Sequence, residues 1–275
     1  MMRASRREFL IGAGVAGLST TLPIPAWAAG GAAGLTSMAK DAKPITAEER
    51  LARIAKAQRL MRAEGMSALL IEAGSSLLYF TGIDWWRSER LTAAIIPAEG
   101  ELLIITPGFE EPSIRESLAV PGKVEVWQED ESPIALIRAF LARHKLDKGV
   151  IGIEETVRFF AVDGVRAALP GATIRSGASV VRGCRMIKSA AELALMQVAA
   201  DIQIAAFRHV AGRIEKGMGE SDLRAMLVAA SKALGGDNAD GGLILIGEAS
   251  AYPHGSTIPH RVTEGGIILF DAGLS

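Results

Sequence analysis

An α/β fold with a mixed sheet is predicted for the larger part of this chain. Two observations predict it. Between residues 46 and 183 short apolar runs alternate with segments of helical period, the pattern of strands packed under helices. One pair of runs, Thr92 to Ile96 and Leu102 to Ile105, is joined around Glu99-Gly100 closely enough to make an antiparallel hairpin, so the sheet is not purely parallel.

The chain opens with Ser5-Arg6-Arg7-Glu8-Phe9-Leu10, an apolar Gly-rich run from Ile11 to Pro25, and Ala26-Trp27-Ala28. A charged start, a modest apolar core and a small-x-small site make residues 1–28 an export signal, outside the fold. The paired arginines followed by Phe-Leu point to the twin-arginine route, and so to a bacterial periplasm. The run is too short and too rich in Gly, Ala, Ser and Thr to span, so no stable membrane insertion is expected after cleavage. Removing residues 1–28 takes away three arginines and one glutamate, and the formal net charge moves from −1 to −3. A mildly acidic mature chain argues against a general nucleic-acid binder. Residues 29–45 are Gly- and Ala-rich without apolar period and predict a flexible linker.

Order is expected from Thr46. Thr46 and Glu49 have capping-box spacing, Leu51, Ile54, Ala57 and Met61 follow at helical spacing, and Gly65 closes the helix. Ala68 to Ile71 reads as a strand, and the hairpin comes next. A helix near Glu111 to Leu118 and a strand from Lys123 to Trp127 follow. Ser132 as N-cap and Pro133 at the first helical position start a helix through Lys145. Val150 to Ile153, a helix near 157–169 and Ala172 to Arg175 complete a domain over residues 46–183. Glu154 and Glu155 are adjacent on a strand and face opposite ways, which argues against a shared acid/base site. The single cysteine, Cys184, excludes an internal disulfide and suits small-residue packing.

Val181 to Ser189 reads as a seam. Ser189 and Glu192 make a second capping box ahead of a long helix through Leu193, Met196, Ala200, Ile204, Phe207 and Val210. A further helix starts at Glu220 or Ser221 and runs to Leu234. Asp237 and Asp240 sit in a turn-rich loop whose spacing lacks the terminal Glu of a calcium loop. Leu243 to Ile246 and Ile267 to Phe270 then predict neighbouring strands, with the loop carrying His254 folded over their ends. The second strand follows Gly265-Gly266 and delivers Asp271 within Asp-Ala-Gly. A carboxylate beside an apolar strand calls for compensation by a cation or a metal, or caps a turn. The histidines closest to it in sequence are His254 and His260.

The pattern Ser250-x-x-Pro253-His254-Gly255, then Gly265, then an apolar strand ending Asp271-x-Gly273 resembles the pita-bread metallohydrolases: Xaa-Pro dipeptidases (prolidases), aminopeptidase P and creatinase. Tyr79-Phe80-Thr81-Gly82 resembles their creatinase-type N-terminal domain, and Arg185-x-x-Lys188-Ser189-x-x-Glu192 the junction into their catalytic domain. The resemblance implies an α/β N-terminal domain with a mixed sheet, followed by the first part of an α+β pita-bread catalytic domain over residues 184–275. It implies hydrolysis of peptide bonds next to proline in a small peptide, by water activated between two divalent metals (Mn, Co, Zn or Fe). Asp271 would be the first metal ligand. His254 would donate to the substrate oxyanion, with His260 as a weaker candidate. The loop Trp85-Trp86-Arg87-Ser88-Glu89-Arg90 is either a solvated turn or a contact surface. For it the resemblance implies a homodimer whose N-terminal domain lends a loop to the partner's site, making Trp85, Trp86 and Arg90 substrate or interface candidates. Gly266 stands where many relatives carry Asp, and Glu248-Ala249 where Asn-Ser is common. The family's second Asp, its His and its two Glu ligands would follow Ser275. The expectation is therefore a fragment, inactive as it stands. The alternatives are a non-catalytic dimerisation or binding module and a creatinase-like, metal-independent C–N hydrolase.

Overall fold

A computed structural model of the chain describes residues 32–236 and 241–274. The predicted export signal and the Asp237/Asp240 loop lie outside the described residues. The described residues form two compact units: one over Lys43–Leu195, and one from Met196 onward together with residues 32–42.

In the first unit the element order is α1 (Ala47–Ala63), β1 (Ala68–Glu72), α2 (Ser75–Thr81), β2 (Ala93–Pro97), β3 (Leu102–Pro107), α3 (Glu111–Ser117), β4 (Gly122–Trp127), α4 (Pro133–Arg143), β5 (Val150–Ile153), α5 (Phe159–Ala168), β6 (Thr173–Ser176) and α6 (Ala178–Arg185). The six strands form one sheet in the order β4-β3-β2-β1-β5-β6. β2 is antiparallel to β1 and β3, and the other neighbours are parallel. The sheet is mixed, as the hairpin predicts. β1, β2 and β3 are buried at every residue because both faces are covered, which is why they read as unbroken apolar runs. Leu69, Ile71, Ala94 and Ile96 face Ala57, Met61, Leu77, Phe80 and Val180. Leu70, Ile95, Leu103 and Ile105 face Ile137, Phe140, Leu141 and Val165.

Local signals placed most helices. Thr46 Oγ1 accepts the Glu49 N–H at 3.2 Å, and Pro133 opens α4, although Ser132 makes no side-chain cap bond there. α2 falls in a stretch for which the sequence predicts no element. It is two turns long, its N-cap Gly74 offers no side chain, and it is helical because Leu77 and Phe80 reach the core from one face. The stretch read as a seam overlaps the second half of α6, a helix that buries Val180, Val181 and Cys184. Burial pushes the Cys184 thiol above its ordinary range, with Lys56 and Arg59 opposing.

A polar knot ties α1 to the second capping box. Arg53 donates to the Tyr79 carbonyl at 2.9 Å, lies 3.0 Å from Glu49 and 3.3 Å from Glu192, and stacks 4.1 Å above the Tyr79 ring. Ser189 and Glu192 exchange both capping bonds, and Ser189 Oγ also donates to Glu49 at 2.7 Å. Burial first, and Glu192 second, hold the Tyr79 hydroxyl above the usual phenol range.

Helix α7 (Ala190–Ala211) runs across the boundary between the units. It is long and apolar enough to cross a membrane by length and composition, yet its Ile202, Ala206 and Val210 are buried in the core of the second unit. There α8 (Glu220–Ala233) starts where Asp222 accepts the Gly219 N–H at 2.9 Å. β7 (Leu243–Ile246) pairs antiparallel with β8 (Ile268–Asp271). Ile244, Ile246, Ile268 and Phe270 pack with Leu223, Met226 and Leu227. The stretch 32–42 is not free, against the expectation of a flexible linker: Leu35 and Ala39 pack on this same core.

Candidate functional site

Two of the three predicted site residues of the second unit, His254 and Asp271, are placed relative to the β7–β8 ladder. The register pairs Leu243 with Asp271 and Leu245 with Leu269. Directly paired residues project to one side of an antiparallel sheet, so these four share a face, opposite to the face built into the core. The turn containing His254 covers that same face. A side chain added at Gly255 would meet Leu245 at 3.2 Å and Leu243 at 3.7 Å. Gly255 has φ +87, a left-handed conformation that turns the chain back over the strands after His254. The turn is closed by the Gly255 N–H donating to the Tyr252 carbonyl at 3.0 Å, and Ser250 Oγ donates to the Gly247 carbonyl at 2.7 Å. His254 and Asp271 are thus brought to one side of one ladder from positions 17 apart in the chain.

β8 is less buried than its apolar run implies. Its residues alternate between half-buried and exposed, Asp271 is exposed, and Leu269 is 38% and Ile267 68% exposed. The physical reason is that β8 has a single strand neighbour and one covered face among the described residues. Asp271 is therefore an accessible carboxylate, not a buried one needing a counter-charge.

His260 lies elsewhere. An isolated bridge between Gly219 and Arg261, and the Val262 N–H donating to the Met218 carbonyl at 2.8 Å, fasten the His260 segment beside the start of α8. There His260 is half-buried and lines an open cleft of about 1130 Å³ with Glu220, Ser221, Ser256 and Ile258. Neither His254 nor Asp271 lines it. No group of three or more His, Cys, Asp or Glu side chains that could hold a metal ion occurs among the described residues. Asp271 alone does not fit a two-metal centre.

In the first unit the Trp85–Arg90 loop sits at the edge of the sheet where β1, β3, β4 and β5 end. Trp85 and Trp86 stack at 5.3 Å with an interplanar angle of 11°. Trp85 is half-buried and donates from Nε1 to Glu110 at 3.2 Å, while Trp86 is 73% exposed. Arg90 is held by Glu129 at 2.6 and 3.1 Å and lies 5.2 Å over the Phe109 ring. The bond from Glu129 raises the Arg90 guanidinium pKa, and the same bond holds the Glu129 carboxyl below its usual range. So Trp85 is anchored, Arg90 is paired and Trp86 is the presented ring.

Two carboxylates matter more to this edge: Glu72, which the sequence did not single out, and Glu154, which it raised only to argue against a shared acid/base site with Glu155. Glu72, at the end of β1, is fully buried and accepts the Arg158 N–H at 2.9 Å and its Nε–H at 2.7 Å. Arg158 also donates to the Ser88 and Arg90 carbonyls at 2.6 and 3.1 Å, fixing the loop backbone. Glu154, at the end of β5, accepts from Ser76 at 3.2 Å and from Thr156 Oγ1 at 2.6 Å. Their signal in the sequence was the same as that of Asp271, an acid at the end of an apolar run.

Residues 53–187 match the creatinase/prolidase N-terminal domain family, and residues 194–275 match metallopeptidase family M24. An uncharacterized peptidase of Schizosaccharomyces pombe is 29% identical over 250 residues, which are 86% of this chain and 54% of that protein. The probable dipeptidase PepE of Mycobacterium tuberculosis is 26% identical over 233 residues, 82% of this chain and 60% of its own. The crystal structure of a recombinant prolidase from Thermococcus sibiricus superposes with a TM-score of 0.74 at 22% identity, over 84% of this chain and 62% of that one. At that identity the likeness is one of fold. The chain spans 54% and 60% of the length of these two curated relatives.

Proposed function

Because the chain belongs to the M24 metallopeptidase family, with a creatinase/prolidase N-terminal domain and part of the pita-bread domain, we propose that its protein hydrolyses peptide bonds next to proline in small peptides. The observation that carries the reading is the shared ladder face: the His254 turn covers Leu243 and Leu245, and Asp271 projects from the register position opposite Leu243. An imidazole in such a turn can donate to a carbonyl oxygen as it becomes an oxyanion, and a neutral ring suffices for this. The proposal includes two divalent metals, Mn, Co, Zn or Fe, with Asp271 as one ligand. The described residues supply that one carboxylate and no metal cluster, so the other ligands lie outside them.

The test is hydrolysis of Xaa-Pro dipeptides by the full-length protein, before and after chelation. Loss of activity with chelator and its return with one of the four metals is expected. Full activity in the metal-free protein would instead establish a creatinase-like reaction, and inertness toward every Xaa-Pro peptide would end the prolidase reading.

The same proposal places the mature protein in the periplasm. Replacing Arg6 and Arg7 together by lysine is expected to leave the protein in the cytoplasmic fraction of a bacterial host at its uncut mass. Export of this variant at the wild-type level would remove the twin-arginine assignment.

A further inference from the structure

Residues 32–42 are joined to the second unit at a specific point, the C-terminal cap of α8. The last carbonyls of a helix have no partner within it and need donors from elsewhere. Two come from the glycines that follow. The Gly235 N–H donates to the Lys232 carbonyl at 3.0 Å and the Gly236 N–H to the Ser231 carbonyl at 2.8 Å, with Gly235 at φ +94. That is a Schellman cap. The third donor is the Met38 N–H, which reaches the Leu234 carbonyl at 2.8 Å. On either side of this bond Leu35 and Ala39 pack on the core that also holds Leu234.

The fit is close. A side chain at Gly235 would lie 2.5 Å from Ser37 Oγ and 2.9 Å from Ala39 Cβ. On its other side the cap touches the segment that follows Asp271, since a side chain at Gly236 would meet Leu274 at 3.0 Å. Leu274 and Ala272 pack on the same core as Leu35 and Ala39. The two-glycine cap is therefore clasped between residues 35–39 and residues 272–274.

We propose that residues 35–39 are a strap that holds the α8 cap and, through it, the strand end that carries Asp271. The strap is a working part of the second unit, although the whole of the first unit separates it in sequence from α8 and β8. This inference does not depend on the peptidase reading. Cleavage of the chain at Ala28 leaves the strap in place, whereas trimming beyond Ala39 removes it.

Hydrogen exchange of the full chain tests this. Leu35→Asp places a charge on the apolar contact, and Met38→Pro removes the one strap donor without touching the core. Leu35→Met keeps the contact and serves as the control. Leu35→Asp is expected to speed exchange about tenfold in residues 231–236 and 268–274 while α1 keeps its wild-type protection, with the same pattern, smaller, for Met38→Pro. The Leu35→Met protein is expected to match wild type. The proposal is overturned if exchange accelerates only within residues 35–39, or if all segments including α1 accelerate together. Should Leu35→Asp fail to fold, Met38→Pro gives the same reading alone.

Discussion

Asp271→Asn is expected to leave the melting temperature of the metal-free protein unchanged within about 1 °C and to lower Xaa-Pro hydrolysis by the metal-loaded full-length protein more than about a hundredfold. The side chain is exposed at the end of β8, so it makes no core contact whose loss would cost stability. Asparagine keeps the volume and leaves the backbone register with Leu243 intact. What it removes is the formal charge, and a neutral amide is a poor ligand for a hard divalent cation. Thermal denaturation of the metal-free protein and steady-state hydrolysis after metal is restored separate the two roles. A fall of several degrees would show a structural carboxylate, and activity within a factor of three of wild type would exclude Asp271 as a ligand.

Arg158→Met is expected to act in the opposite way, with a large stability effect in the first unit. It leaves the buried Glu72 carboxylate with only the looser Arg87 guanidinium, 3.9 Å away, and its backbone donor, and breaking such a pair from one side costs about 3 kcal/mol. That figure takes the lower part of the usual range because the Arg158 side chain is 30% exposed and partly screened. For a unit of this size the loss corresponds to about 10 °C in melting temperature. The Ser88 and Arg90 carbonyls lose their donor as well, so the Trp85–Arg90 loop should loosen, visible as weakened protection at residues 85–91. Replacing both partners, Glu72→Met with Arg158→Met, is expected to recover most of the loss, because no unpaired charge then remains buried. A single Arg158→Met variant less than about 1 kcal/mol below wild type would mean that the pair does not hold this edge together.

One sequence signal has two different structural outcomes in this chain. Leu69-Leu70-Ile71-Glu72 and Ile268-Leu269-Phe270-Asp271 are the same pattern, an apolar run ending in an acid. In the first, the strand lies inside a six-stranded sheet with both faces covered, and the acid is buried against an arginine 86 positions away. In the second, the strand has one neighbour among the described residues and the acid is open to solvent. Nothing within either run distinguishes them, since burial depends on which elements arrive from elsewhere in the chain.

Helix starts were legible wherever a side chain caps them: Thr46 for α1, and Ser189 with Glu192 for α7. The mixed sheet was legible from the hairpin, and the β7–β8 neighbourhood from two apolar runs bracketing a turn-rich segment. α2 was not, because its two turns carry no cap and are held only by the burial of Leu77 and Phe80. The strap was not, because Gly and Ala around a single leucine carry no periodic signal, and its docking rests on one backbone bond and two small apolar contacts.

The sequence by itself determined the periods, the caps and the turn residues, and through the Pro253-His254-Gly255 and Asp271-Ala272-Gly273 motifs the family. These are properties of contiguous residues, where spacing and side-chain chemistry are already written. Tertiary structure alone decided that Glu72 is paired and buried while Asp271 is exposed. It also put the His254 turn on the same ladder face as Asp271 but His260 in a separate cleft, and docked residues 35–39 on the cap of α8. Each of these outcomes depends on long-range packing, in which the partner that buries, pairs or covers a group comes from a distant part of the chain.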